Sequence, residues 1–342
     1  IQNHGTYRAG LKAPDRMVVR MATRVGGAGG YRHYQKHQKR GDKTMPIAIV
    51  LGAPPCVAFV APMKLPIDLD EVGVAGGVAG APIHVVRAKT VDLLVPADAE
   101  IVIEGFIDTE HVEPEGPFGE SHGHVALEQF NMPMRVTAIT HRKDAIVASY
   151  LSQVTPSESS AIKRVSFEPM FLSHLRNTLG IKGVKRVTLH ERMTALRRMT
   201  IVTVEQGTAR SEVWRALYGM SSFKADCGKI GIAVNEDVDP ENSDALFWAL
   251  AFRMNPAEDL QVLKHRSGGH GPEREHETDE EDATLLIDAT TKDVLPPFAL
   301  PKREYMEGAR KIWEEIGLPK LRPQAPWFGA PVGDWLAAWD EG

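Results

Sequence analysis

A change of texture at Thr155-Pro156-Ser157 constrains the fold more than any other feature of the sequence. Before it, residues 17–20, 47–51, 83–90, 100–107, 134–141 and 145–150 form runs of strand length. They are rich in β-branched residues and separated by Gly, Pro and Asp. Residues 68–80 read as a short helix running into a glycine-rich turn. So many short strands suit a closed or split barrel. After residue 157 the pattern alternates, with helices expected over 159–179, 208–218 and 243–252 and strands over 186–190, 199–206, 230–234 and 284–289. Such alternation indicates an α/β unit. A last helix is expected over 303–316, where Met306, Ala309, Ile312, Trp313 and Ile316 share one face. Residues 266–282, rich in Gly, His and acidic side chains, read as a mobile loop. The tail carries Trp327, Trp335 and Trp339, aromatics that usually pack on a partner or on the parent domain.

Within the strand-rich half, Glu115-Gly116-Pro117-Phe118-Gly119-Glu120 sets two carboxylates five residues apart around a stiff turn. Pro117 locks its own φ, and the flanking glycines permit backbone geometry closed to other residues. Carboxylates held close oppose double ionisation, which suits one as a proton donor while the other stays charged. A lone motif of this kind is more often a solvated acidic turn.

Composition narrows the function classes. The 342 residues exceed one typical domain, and a net charge of −5 argues against a nucleic-acid surface. The Arg and Lys cluster over residues 16–43 reads mainly as solvated surface. Cys56 and Cys227 form no C-x-x-C, so neither a disulfide framework nor a zinc site is indicated. With no apolar run long enough to span a bilayer and no visible signal peptide, the cytoplasm is the expected location.

Several further motifs occur in one collinear order: Asn3-His4-Gly5-Thr6-Tyr7-Arg8, residues 45–52, residues 92–105, Val112-Glu113-Pro114 before the turn, Gly228-Lys229-Ile230, residues 235–239, and Leu286-Ile287-Asp288-Ala289-Thr290. Together they resemble the UbiD family of prenylated-FMN-dependent decarboxylases over nearly the whole chain. The resemblance implies reversible, non-oxidative decarboxylation of an aromatic, heteroaromatic or α,β-unsaturated acid, or of an aromatic acyl-CoA. It implies a covalent adduct with prenylated FMN and a glutamate that protonates it. By position Arg8, Glu115 and Glu120 match the catalytic triad, with Glu120 as proton donor.

The same resemblance assigns Thr6, Tyr7, Arg8, Arg20, Met21 and Ala22 to the segments around the flavin, and Lys229 to its phosphate. Asn3 and Glu71 match the amide and carboxylate ligands of a Mn2+ or Mg2+ ion, and K+ is expected at backbone carbonyls near residues 60–63. Where many family members place a histidine ligand this chain offers Arg24, with His33 the nearest histidine. His122 and His124 follow Glu120 and either approach the pocket or face solvent.

The expected fold is α/β (α+β), in three parts. A prenylated-FMN-binding split barrel spans 1–152, a C-terminal α/β domain 153–300, and a helix and tail 301–342 that form an oligomer contact. Family members carry an α/β region before the Asn3 motif, so the chain is expected to be N-terminally incomplete. Expected partners are a small carboxylic acid and CO2, a flavin prenyltransferase as cofactor supplier, and further copies of the chain in a dimer or larger oligomer. Two other readings stand beside this one: a flavin-binding redox protein, and a non-catalytic subunit of a multi-subunit carboxylase.

Overall fold

The computed structural model describes residues 3–21, 29–63, 65–66, 68–126, 130–190, 198–224, 228–266, 282–293 and 301–319. Ala22, Arg24, Cys227, Trp327, Trp335, Trp339 and most of the expected 266–282 loop lie outside them. The described chain divides into two compact units, with the division inside helix α4 (Glu158–Ser173) between Phe167 and Glu168.

Unit 1 contains β1 (Arg8–Ala13), β2 (Arg16–Arg20), α1 (Gly29–Arg40), β3 (Thr44–Leu51), α2 (Pro55–Val60), α3 (Glu71–Ala79), β4 (Val85–Arg87), β5 (Leu94–Pro96), β6 (Ile101–Asp108), β7 (Phe118–Gly119), β8 (Val125–Ala126) and β9 (Met132–His141). Five of the strands form an antiparallel sheet in the order β1-β2-β9-β6-β3. Its inner face carries Val19, Met45, Ile107, Met132 and Met134, which pack with Met21 and with Tyr34 of α1. Fully burying one side chain of that size contributes about 1.5–3 kcal/mol, which explains why α1 forms despite its polar composition. Helix α3 starts where the Asp70 side chain accepts the Val72 amide at 3.0 Å and stops at left-handed Gly80.

The centre of the sheet depends on Gly105. The β6–β9 register shifts between Glu104 and Gly105, and a Cβ on Gly105 would lie 2.1 Å from the Arg135 carbonyl oxygen. Backbone cannot yield as a side chain end can, so Gly105→Ala is expected to cost roughly 3 kcal/mol, the upper part of the range for overpacking. A urea midpoint equal to that of the parent chain would contradict this.

Beside the bulge, the buried Glu104 carboxylate accepts the Lys89 amide at 2.9 Å, the Thr90 amide at 2.6 Å and the Thr90 hydroxyl at 2.8 Å. Burial pushes its pKa up, but these bonds and the Val91 amide outweigh it, leaving it below the ordinary 4.5. A depressed folded-state pKa means stability present above the unfolded value and lost as pH falls through the folded one. Glu104→Gln should therefore be less stable at neutral pH, with its deficit shrinking as pH drops below 4.5. A pH-independent gap in unfolding temperature would refute the assignment.

In unit 2, β10 (Val184–Leu189), β11 (Met199–Val204), β12 (Ile230–Asn235), β13 (Leu260–Arg266) and β14 (Asp282–Asp288) form a sheet ordered β10-β11-β12-β14-β13. The β11-β12-β14 core is parallel and both edge strands are antiparallel. Helix α5 (Arg210–Ser222) makes the crossover from β11 to β12, and α6 (Ser243–Phe252) starts at the Asn242 cap. Ile201, Ile232, Val234, Ala245 and Ile287 lie in its core. Helix α7 (Arg303–Glu315) leaves Ile312 and Ile316 exposed at 59% and 65%. No helix among the described residues is long and apolar enough to cross a membrane.

The strand expected over 145–150 does not form. Its backbone enters no ladder, and Ile146 and Val147 face outward. Among the described residues the strands of unit 1 form this five-stranded sheet and two two-stranded sheets, β4-β5 and β7-β8.

Candidate active site

The Glu115–Glu120 turn lies in an extension of the β6–β9 pairing. Glu113 and Asn131 bridge its base through two backbone hydrogen bonds of 2.9 and 3.0 Å. Further out, β7 pairs with β8, setting Phe118 opposite Ala126. The tip turns at Gly123, whose φ of 89° places it in the left-handed region. This frame buries Glu115 and Glu120, each 6% exposed.

Across from them, β1 and β2 pair Arg8 with Arg20, so both guanidiniums rise from the same face of the ribbon. Arg8 grips Glu115 with two nitrogens, Nε to Oε2 at 3.2 Å and Nη2 to Oε1, while Nη1 donates to Glu120 Oε1. Its guanidinium also stacks 4.6 Å from the Phe118 ring centroid. Arg20 Nε lies 3.6 Å from Glu115 Oε1. Burial alone would lower the Arg8 pKa, but hydrogen bonds and charge from both glutamates outweigh it and hold the guanidinium charged. Arg8 thus faces both carboxylates, and Arg20 lies near Glu115 as well. Next to them His122 is half-buried and His124 exposed, their ring centroids 5.8 Å apart.

A second group sits around a cavity of about 540 Å³. Asn3, Thr6, Tyr7 and Met21 line it, as do His4, His33 and much of β3, whereas Arg8, Arg20, Glu115 and Glu120 do not. At its polar end Asn3 Nδ2 donates to Glu71 Oε1 at 2.8 Å, and Tyr7 Oη lies 3.1 Å from Asn3 Oδ1. Burial lowers the pKa of His4 against the opposing charges of Glu71 and Asp70, keeping its imidazole neutral. Burial likewise lowers that of His33. Near the residues expected to offer K+ carbonyls, the Val60 carbonyl accepts the Met63 amide at 2.9 Å. Lys229 lies in unit 2, where its ammonium pairs with Asp282.

Sequence comparison settles the lineage. Residues 1–154 match the 3-octaprenyl-4-hydroxybenzoate carboxy-lyase Rift-related domain, and residues 165–289 match the C-terminal domain of the same carboxy-lyases. The chain belongs to the UbiD family.

Solved structures share the fold of this UbiD-family chain. The UbiD-class enzyme HmfF from Pelotomaculum thermopropionicum in complex with FMN is 24% identical, with a TM-score of 0.76 over 90% of this chain and 67% of that one. An evolved dimeric form of HmfF in complex with prFMN is also 24% identical, with a TM-score of 0.74 over 90% of this chain and 66% of that one. The closed form of Sedimentibacter hydroxybenzoicus vanillic acid decarboxylase is 25% identical, with a TM-score of 0.72 over 92% of this chain and 66% of that one. The UbiD-family chain therefore spans about two thirds of the length of the structures it matches.

The residues present fit the family's cofactor chemistry. The cavity falls within the ~300–1,000 Å³ range of small-molecule sites and its walls are largely apolar. Asn3 and Glu71 each carry an oxygen of the hard kind that Mg2+ or Mn2+ takes; the contact between them runs from Asn3 Nδ2 to Glu71 Oε1, so the amide would turn for its Oδ1 to join the carboxylate on such an ion. Sequence reasoning missed the start of α1, where Gly29 and Gly30 press against Asn3 and Tyr7. The glycine pair itself was the available signal, since a close approach of backbone is a common reason for glycine.

Proposed function

We propose that this chain carries the catalytic machinery of a prenylated-FMN-dependent decarboxylase acting on an aromatic, heteroaromatic or α,β-unsaturated carboxylic acid. One observation carries the reading: Arg8 holds both Glu115 and Glu120 in a buried cluster built from two separate stretches of chain. Surface salt bridges need no such burial, and ordinary flavin redox chemistry needs no such pair of acids. A subunit without catalytic function would have no reason to keep the set intact.

Loss of CO2 from an sp2 carbon leaves a vinyl or aryl carbanion, and prenylated FMN when bound supplies the electron sink that no side chain offers. The protein's part is orientation and proton delivery. Arg8 presents a planar fork that orients the substrate carboxylate and Glu115. After the bond to CO2 breaks, the carbon that lost it takes a proton from the Glu120 carboxyl, which solvent then replaces. Asn3 and Glu71 would hold the Mn2+ or Mg2+ that neutralises the flavin phosphate, with Thr6, Tyr7 and Met21 along the cavity wall. The open sheet of unit 1 serves in this reading as the body of the split barrel.

Co-expression with a flavin prenyltransferase tests the cofactor assignment. The flavin released on denaturation should have the mass and absorbance of prenylated FMN, and Glu71→Ala should retain markedly less flavin and Mn2+. Full metal and flavin occupancy in Glu71→Ala would move the clamp elsewhere. The apolar face of α7 extends the proposal to assembly: covered by a second copy, it would give a homodimer or larger oligomer. Light scattering that shows a monomer at micromolar concentration would contradict that part.

A further inference from the structure

Helix α1 turns one face to the cavity and a basic one to solvent. At about 3.6 residues per turn, Gly30, His33 and His37 share the arc that lines the cavity. Arg32, Lys36, Lys39 and Arg40 fill the adjoining arc, and all four are exposed. Among the described residues no carboxylate pairs with any of the four; the acid just beyond the helix, Asp42, pairs with His37 instead. Lys39 and Arg40 stand in the last turn, where cations favour the helix end, but Arg32 and Lys36 have no such role.

The positive charge is local. Residues 16–41 hold seven lysines and arginines and no aspartate or glutamate, +7 against −5 for the whole chain, so the rest of the chain carries −12. A chain that repels anions overall thus has one strongly basic stretch, and its exposed helical part borders the cavity. Among the described residues the cavity lining holds Lys163 and three histidines but no carboxylate. The field of the stripe reaches that wall. Burial raises the Tyr7 pKa and the charge of Arg32 opposes the rise, while burial lowers the pKa of His33 and the charge of Lys36 lowers it further.

We propose that Arg32, Lys36, Lys39 and Arg40 form an electrostatic guide that gathers a phosphate-bearing flavin beside the cavity and speeds its entry, without holding it once bound. Like charges lining one side of a site raise the local concentration of an oppositely charged ligand and so its association rate. The proposal rests on the reading that the cavity takes a flavin mononucleotide. A polyanion such as nucleic acid suits the stripe less well, because the −12 carried by the rest of the chain would repel it.

Stopped-flow fluorescence of FMN binding to the flavin-free chain tests this without any assay of turnover. The variant carries Arg32→Gln, Lys36→Gln, Lys39→Gln and Arg40→Gln together, since glutamine matches lysine and arginine in helix propensity and should leave the unfolding temperature unchanged. At about 10 mM ionic strength, where charges act over ~30 Å, the variant should associate with FMN at least roughly tenfold more slowly. Its dissociation rate should stay within about twofold of the parent's, because the four side chains stand outside the cavity lining. At about 1 M salt, where screening cuts the range to ~3 Å, the two association rates should agree. Riboflavin, which lacks the phosphate, should associate equally fast with both chains. Equal FMN association rates at low salt would overturn the proposal while leaving the cavity assignment intact. So would an equal loss when Lys182, Lys264, Lys302 and Lys311, exposed lysines of unit 2, are replaced by glutamine instead. A parent chain that binds no FMN would remove the cavity assignment, and the guide with it.

Discussion

Glu120→Gln is expected to abolish decarboxylation while flavin stays bound. Glutamine keeps the shape of the side chain and its carbonyl can still accept from Arg8 Nη1, so the cluster that buries it survives. What disappears, in the proposed mechanism, is the group that gives up the proton. General acids contribute roughly 10²–10⁴-fold, and the loss should reach at least the top of that range when the carbon has no other proton source. Since the cofactor would be held by Asn3, Glu71 and the cavity wall, which Glu120 does not line, flavin content should match the parent chain. Decarboxylation within tenfold of the parent rate would remove Glu120 from its role.

Arg8→Met is expected to damage both fold and activity. The Glu115 side chain is 1% exposed and would lose its two-pronged partner, while Arg20 stays 3.6 Å away. Breaking a buried pair by removing one member costs about 3–5 kcal/mol, and the lower figure applies because the Arg8 side chain is 19% exposed. For a unit of this size about 3 kcal/mol lowers the unfolding temperature by roughly 6–12 °C. Arg8→Met with Glu115→Leu should recover at least half of that loss and still lack activity, because an apolar pair of similar volume often substitutes for a buried ion pair in stability but not in chemistry. Differential scanning calorimetry of the single and double variants reads this directly. A double variant as unstable as the single one would mean that the cluster holds the fold through contacts other than this pair.

How much of this was legible in the sequence follows from what each element depends on. Local signals carried well. Helix α6 has the limits expected for it, 243–252, with the Asn242 side chain capping its first turn, and α3 fills 71–79 of the 68–80 expected, with Asp70 at its start and Gly80 at its end. The Glu115–Glu120 turn was readable because Pro117 and two glycines set its geometry within six residues. Elements that exist only through distant contacts were not. Strand β1 has no clean alternation, with Gly10 and Lys12 in its middle, and forms because β2 pairs with it. Strand β13 carries Gln261, Lys264 and His265 and takes its register from β14. Helix α1 begins with two glycines and is crowded with basic side chains, so its pattern suggested solvated surface. One buried residue, Tyr34, anchors it to the sheet.

The candidate site divides in the same way. The motifs pointed to Arg8, Glu115 and Glu120 and to Asn3 and Glu71, and the fold brings the members of each group into contact. That Tyr7 and Ala9 face the cavity while Arg8 between them faces the glutamates follows from the two-residue period of a strand the sequence did not announce. The hydrogen bond from the Gly30 amide to Tyr7 Oη depends on the start of α1 reaching Tyr7, a contact spanning 23 residues in sequence.

The most direct test of the central claim is the fate of hydrogen at the carbon that loses CO2. The chain, co-expressed with a flavin prenyltransferase, would be incubated in D2O with a panel of aromatic and α,β-unsaturated acids, and the products analysed by mass spectrometry and NMR. The account predicts release of CO2 from at least one acid and a single deuterium at the former carboxyl position, with neither event in Glu120→Gln. CO2 release that persists in Glu120→Gln with full deuterium incorporation, or a flavin-loaded chain that releases no CO2 from any acid of these classes, would contradict it.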